Sequence, residues 1–350
     1  MTSGGVGNYF EDFRAGQILP HGPARTVSSG DVALYTALYG GRFAPQSSDV
    51  FARSLGLQCA PLDDFLVFHL VFGKTVPEVS LNAIANLGYA ECRFLKPVFP
   101  GDTLSARSEV LGTRENANRE SGIVYVRSSG FNQHREQVLN YARWVMVRKR
   151  ASENKGPSDN VPKLAAFVEP DDLIVDGKTS FGAFDRQASG GTLFFDDYAV
   201  GTRIDHGDAM TVEDAEHMMA TRLYHNTARV HFNAHAEKQG RFGRRIVYGG
   251  HVISIARALS FNGLANAWFV SAINSGRHVA PCFGGDTVYA WSEIVGKAPV
   301  ARRDDSGHLR VRTIATKDRS CADFPCKGAG GDYDSAVILD LDYWVLMPRA

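Results

Sequence analysis

Two stretches of this chain, about half its length apart, carry one pattern. Tyr9-Phe10-Glu11-Asp12-Phe13-Arg14-Ala15-Gly16 returns as Phe194-Phe195-Asp196-Asp197-Tyr198-Ala199-Val200-Gly201. Thr26-Val27 and Tyr39 return at the same offset as Thr211-Val212 and Tyr224. Val98-Phe99-Pro100-Gly101-Asp102-Thr103-Leu104 returns as Cys282-Phe283-Gly284-Gly285-Asp286-Thr287-Val288, and Arg143-Trp144-Val145-Met146-Val147 as Tyr343-Trp344-Val345-Leu346-Met347. A duplication this long implies two copies of one domain, not a solenoid of short units. It divides the chain into an N-terminal copy (1–150), a linker (151–190) and a C-terminal copy (191–350). Each copy is long enough to bury a core without staples. Where the copies differ in reactive residues, one has kept chemistry that the other has lost.

Charge narrows the partners. Lys and Arg number 38, as do Asp and Glu, so bulk charge draws the chain neither to nucleic acid nor to an anionic membrane. No apolar run is long enough to span a bilayer. Met1 to Asn8 are small and polar, without the apolar core of a signal peptide, which points to a cytoplasmic protein. Five cysteines make an odd number for a disulfide framework. Cys59, Cys92 and Cys282 lie in apolar sequence and read as reduced core residues. Cys321-x4-Cys326 has no second pair to complete a metal site, so no metal is expected.

Each copy opens with the aromatic-acidic segment and continues into a candidate helix, Ser29 to Tyr39 and Val212 to Tyr224. Glu213, Asp214 and Glu216 suit the positive end of the second helix. A polar loop follows, then an apolar stretch: Phe65 to Phe72 in one copy, Val252 to Leu259 in the other. Periodicity alone leaves strand and helix open for such runs. The second is Ala-rich and follows Gly249-Gly250, which reads as a buried helix. The remainder alternates as half-buried strands do, at Val124-Tyr125-Val126-Arg127, Leu309 to Ile314, Val138 to Val147 and Val337 to Met347. One buried helix wrapped by an antiparallel sheet is the hotdog architecture. Two tandem hotdogs, α+β in class and paired as a pseudo-dimer, would cover each other's strand edges. Ser152 to Asn160 is turn-rich, as linkers are, Leu164 to Val175 is apolar enough to pack on the surface, and the insertion from Asp318 to Ser335 reads as a long hairpin loop.

The loop after the first helix differs most informatively between the copies. In the second it runs Tyr224-His225-Asn226-Thr227-Ala228-Arg229-Val230-His231-Phe232-Asn233-Ala234-His235-Ala236, and in the first Tyr39-Gly40-Gly41-Arg42-Phe43-Ala44-Pro45-Gln46-Ser47-Ser48-Asp49-Val50-Phe51-Ala52. These loops resemble the MaoC-like, R-specific enoyl-CoA hydratases, whose pattern is roughly Tyr-x-Gly-Asp-x-Asn-Pro-x-His-x-Asp-x-x-x-Ala. In that family the Asp and His together activate water for addition to an enoyl thioester. On this pattern the first copy has Arg42 in the Asp position and Ser47 in the His position. An arginine accepts no proton near neutral pH, so that copy reads as inert for hydration. The second copy keeps His231 and has Asn226 in place of the Asp. Asn226 can hold a water by hydrogen bonds but is no general base, which leaves His231 as the proton-transfer group.

Longer segments, Asp31 to Gly40, Asn86 to Glu91 and Tyr248 to Gly263, resemble one branch of that family, the mesaconyl-CoA hydratases or β-methylmalyl-CoA dehydratases. The resemblance implies a hydro-lyase acting reversibly on 2-methylfumaryl-CoA, an acyl-CoA substrate with no cofactor beyond its own coenzyme A. Such a reaction needs the thioester carbonyl polarised, and backbone N–H groups at a helix start do this. Gly249 and Gly250 are the candidates; tight helix–sheet packing is the competing explanation for both. Tyr224 and His251 are candidates to line the acyl pocket, and Arg42 and Arg229 to meet the free carboxylate. Arg241, Arg244 and Arg245 are weaker candidates for the phosphates of coenzyme A. His231 and His235 have the spacing of metal ligands on one helix face, without a third ligand. A hotdog thioesterase and a non-catalytic acyl-CoA-binding module remain as alternatives. Two fused copies already supply the pair that single-domain relatives form by dimerising, and a further homo-oligomer is left open.

Overall fold

The computed structural model describes residues 7–349; Met1 to Val6, most of the polar leader read from the sequence, lie outside the described residues. The N-terminal copy contains β1 (Ile18–Thr26), α1 (Ser29–Tyr39), α2 (Ala44–Ser47), α3 (Asp49–Ser54), α4 (Asp64–Thr75), β2 (Ala83–Phe94), β3 (Thr103–Glu115), β4 (Ser121–Phe131) and β5 (Gln137–Arg148). The C-terminal copy repeats this order with β6 (Arg203–Thr211), α5 (Asp214–Leu223), α6 (Arg229–Phe232), α7 (Ala234–Glu237), α8 (Gly249–Leu259), β7 (Phe269–His278), β8 (Thr287–Pro299), β9 (Ser306–Lys317) and β10 (Val337–Pro348). Both apolar stretches that periodicity left open are helices, and almost every residue of each is buried.

The strands form one ten-stranded antiparallel sheet in the order β1-β3-β4-β5-β2-β7-β10-β9-β8-β6. The copies meet at β2 and β7, where Tyr89 faces Gly276 and Cys92 faces Ile273. This junction removes the edge that each five-stranded sheet would otherwise expose. The sheet curls around α4 and α8, whose side chains fill the main core.

Repeated residues make repeated contacts. Thr26 pairs with Thr103 through their hydroxyls at 2.8 Å, and Thr211 with Thr287 at 2.9 Å. In the Gly-Asp-Thr turns, Gly101 (φ 99°) and Gly285 (φ 95°) adopt the left-handed backbone that glycine tolerates, and each donates its N–H to the valine opposite, Val27 or Val212, at 2.8 Å. The motif is a structural clamp between the first and third strands of each copy.

Ser28 caps α1 by accepting from Asp31 N, and the helix spans the residues expected. In the second copy the helix starts two residues later than expected, at Asp214, because the Thr211 hydroxyl is taken by Thr287 and no side chain caps the start. The segment after β5 straps the outer face of the sheet. Val168 buries itself against Ala272, Ala298 and Trp344, and the Trp344 indole donates to its carbonyl at 3.0 Å. Phe181 then packs edge-on against Trp268. The insertion before β10 folds back on the sheet, with Cys321 buried against Trp291 and Ile314. Cys92 and Cys282 are buried as expected, but Cys59 is half-exposed because it follows α3 in a surface turn.

Candidate functional site

The chemistry-bearing residues of the second copy converge at the start of α8. Tyr248 is its N-cap residue and offers no side-chain cap. His251 N donates to Tyr248 O at 2.8 Å, whereas the amides of Gly249 and Gly250 have no acceptor among the described residues. Two free N–H groups at the positive end of a buried helix form a ready site for developing negative charge. Glycine is required here for packing as well. A Cβ on Gly249 would lie 2.3 Å from the ring of His278, and one on Gly250 would lie 2.3 Å from Tyr248 and 2.5 Å from His69.

His231 is the third residue of the short helix α6. Its Nδ1 lies 3.1 Å from Ile246 O, and because a carbonyl only accepts, Nδ1 carries the proton and Nε2 the lone pair. Ile246 N donates back to Val230 O, tying α6 to the segment that leads into α8. The His231 ring lies 5.5 Å from that of Tyr248. Burial, reinforced by the proximity of His217 and His278, pushes its pKa down to about 4, so the imidazole is neutral at physiological pH. Asn226 is buried just past α5, and its Oδ1 accepts from Ala228 N at 3.0 Å, which shapes the start of α6. Its Nδ2 donors have no protein partner among the described residues. Beneath this loop runs α4 of the first copy, where Gly73 touches the chain so closely that a Cβ would lie 1.8 Å from Tyr224 O.

Tyr224 and His251 lie deeper. The Tyr224 hydroxyl pairs with that of Tyr39 at 2.7 Å, and Tyr39 Oη also meets His251 Nδ1 at 2.7 Å. Ser254 extends this polar seam to Tyr35 at 2.9 Å and His69 at 3.1 Å. Arg229 opens α6 and is exposed. Arg42 belongs to the opposite end of the molecule's core: it donates to Asn262 Oδ1 at 2.8 Å, beyond the C-terminus of α8. Eleven residues of helix, roughly 16 Å, separate that end from Gly249. Arg241 lies over Phe242 and Arg244 over Phe283, while Arg245 pairs with Asp214 at 3.0 Å. His235 sits on α7, a separate turn from the α6 residue His231, so the two do not share one helix face.

The first copy's equivalent site is closed from within. Where the second copy has Tyr248-Gly249, the start of α4 has Asp63-Asp64, the first half-buried and the second buried in the core. Asp63 accepts from Phe65 N at 2.9 Å and Asp64 from Val270 N at 2.8 Å. The helix start is thus occupied by the chain's own carboxylates. Counted from the start of the short helix, Gln46 rather than Ser47 takes the place of His231. Sequence reasoning passed over Asp63 and Asp64 although both were visible beside Phe65. It also passed over His278, whose Nε2 reaches the Tyr89 hydroxyl at 3.2 Å, since nothing local marks a strand histidine as facing Gly249.

The arrangement combines a neutral imidazole, free helix-start amides and an unpaired side-chain amide, which together can move a proton and stabilise an oxyanion. The comparisons agree with that chemistry. Among curated proteins, the chain is 61% identical to the β-methylmalyl-CoA dehydratase of Chloroflexus aurantiacus, over 98% of this chain and 97% of that protein. It is 54% identical to the mesaconyl-CoA hydratase of Cereibacter sphaeroides, over 98% and 99%. A solved structure from Chloroflexus aurantiacus described as a MaoC domain protein matches all of both chains at a TM-score of 0.97 and 59% identity. A Mycobacterium tuberculosis protein described as a double hotdog matches 98% of this chain and 99% of its own at a TM-score of 0.77 and 25% identity. The fold is the tandem hotdog. With the mesaconyl-CoA hydratase family model matching residues 2–325, the chain belongs to that family of hydro-lyases.

Proposed function

We propose that this chain catalyses the reversible hydration of mesaconyl-CoA (2-methylfumaryl-CoA) to β-methylmalyl-CoA, with His231 moving the proton. The observation that carries this reading is the pairing, in one copy only, of a free His231 Nε2 with the unsatisfied amides of Gly249 and Gly250. In the forward direction, water bonds through its oxygen to the β-carbon, which bears the carboxylate, and gives a proton to His231 Nε2. The electron pair of the double bond moves onto the thioester oxygen, where the two N–H groups stabilise the enolate. The imidazolium then delivers its proton to the methyl-bearing α-carbon, and the enolate collapses to the saturated thioester. One water is added and His231 returns to neutral. Burial makes His231 a weak base but a strong acid for the second transfer, and charge building on the nearby oxygen favours the imidazolium between them. Asn226 orients the water through Nδ2, and coenzyme A is the only carrier required. The free thiols fit a cytoplasmic enzyme.

Incubation with mesaconyl-CoA, followed by mass analysis, tests this directly. The expected product has gained one water, and His231→Ala should lower kcat by about 100-fold or more. Release of free CoA would show thioester hydrolysis in its place, and binding without turnover would show a non-catalytic module.

A further inference from the structure

Arg143 is the seventh residue of β5, and its side chain points inward with those of Tyr141 and Val145. It is fully buried at 0% exposure. Its Nη2 donates to the hydroxyls of Thr75 at 2.8 Å and Ser80 at 3.3 Å, and its guanidinium carbon lies 4.2 Å over the Phe72 ring. Nε and Nη1 have no acceptor, and no carboxylate pairs with the group among the described residues. The Tyr141 hydroxyl beside it likewise has no partner. A buried guanidinium without an anion is unusual, because desolvating the charge is costly unless something compensates it.

Its surroundings say what could compensate it. Tyr89 faces Arg143 across the β2–β5 pair, and the Tyr89 hydroxyl contacts His278, whose ring covers Gly249. On the other side, Phe72 packs against Tyr248, which packs against His231. Arg143 therefore stands one aromatic layer behind the free amides and the proton-transfer group, and it comes from the copy that has lost its own site. The duplicated position in β10, also the seventh residue, is Tyr343, whose hydroxyl meets Thr313 at 3.1 Å. Only the retained site faces the cation.

We infer that Arg143 is the receptor for the distal carboxylate of the acyl group, so that the first copy supplies the dicarboxylate selectivity of the second copy's active site. The inference rests on the hydratase reading above. Arg42 lies at the far end of α8, and the exposed Arg229 would hold a carboxylate in water, where a charge pair discriminates weakly. A carboxylate bound at Arg143 would fix which carbon of the double bond faces His231.

The test compares mesaconyl-CoA with 2-methylcrotonyl-CoA, in which a methyl group replaces the carboxylate. Arg143→Met should lose about 100-fold in kcat/KM on mesaconyl-CoA, mostly through KM, and stay within about 3-fold of wild type on 2-methylcrotonyl-CoA. Arg143→Lys should fall between. A folded Arg143→Met that loses equally on both thioesters would show a structural role and overturn the inference. Should Arg143→Met not fold, a structure of the wild-type enzyme with the saturated methylsuccinyl-CoA decides: its carboxylate on Arg143 supports the subsite, and its carboxylate elsewhere overturns it. If the wild type hydrates neither thioester, the hydratase reading fails by itself. Tighter binding of methylsuccinyl-CoA than of 2-methylbutyryl-CoA, erased by Arg143→Met, would then still support the subsite, and equal binding would overturn it.

Discussion

His231 has one nitrogen committed to the backbone and one left for chemistry. The Ile246 carbonyl fixes the proton on Nδ1, and the closed surroundings hold the ring neutral down to about pH 4. The acid limb of kcat/KM should therefore fall near pH 4, not near the 6.5 of a solvated imidazole, because only the neutral ring accepts a proton from water. Brief pH-jump assays from neutral buffer would locate it, and a limb at 6 to 7 would place the proton transfer elsewhere. The glycines beside it are equally specific. Gly250→Ala would push a methyl group into the rings of Tyr248 and His69 and disturb the approach to both free amides. An activity loss of about 10-fold or more is expected, measurable as a fall in kcat on mesaconyl-CoA.

At the scale of elements, the site depends on the contact between two helices from different copies. α4 and α8 run antiparallel: Gly73 near the end of α4 abuts the loop after α5, while Asp64 at its start bonds the beginning of β7. Gly73→Ala would set a methyl carbon 1.8 Å from Tyr224 O, a clash with backbone that no rotamer relieves. It should cost about 3 kcal/mol of stability and displace Asn226 from α6, read as a lower thermal midpoint together with lower activity. The helices themselves were largely legible. Ser28 and Asp31 mark the start of α1, and Gly249-Gly250 marks that of α8. The loop register was less so. On the motif Ser47 reads as the replacement for His231, because a motif with one residue more or less can be slid, whereas the helix start fixes Gln46 there.

For the whole molecule, the core is rich in neutral histidines. Burial holds His69 and His251 at about 3, and His206, His231, His278 and His308 at about 4. Between those values and the ordinary 6.5, the unfolded chain binds protons that the folded one refuses. Stability is therefore full above about pH 6.5 and is lost as pH falls through this window, by at most about 1.4 kcal/mol per pH unit for each histidine. Thermal midpoints should drop steadily from pH 7 to pH 5. A flat profile would show that these rings are hydrated or paired in solution.

By itself the sequence determined the duplication, the tandem architecture, the starts of α1 and α8 and the identity of the copy that keeps its histidine. These are local properties: repeats, periodicity, caps and turn glycines act over a few residues and leave their mark in order along the chain. Only the tertiary structure decided which groups meet. Arg143, Tyr89 and His278 read as ordinary strand residues, because alternation reports which face a side chain takes and nothing of what lies across from it. The pairing of β2 with β7 and the antiparallel packing of α4 on α8 bring them to the start of α8. Those contacts join residues far apart in the chain, and their free energy comes from burial against partners that the local sequence does not name.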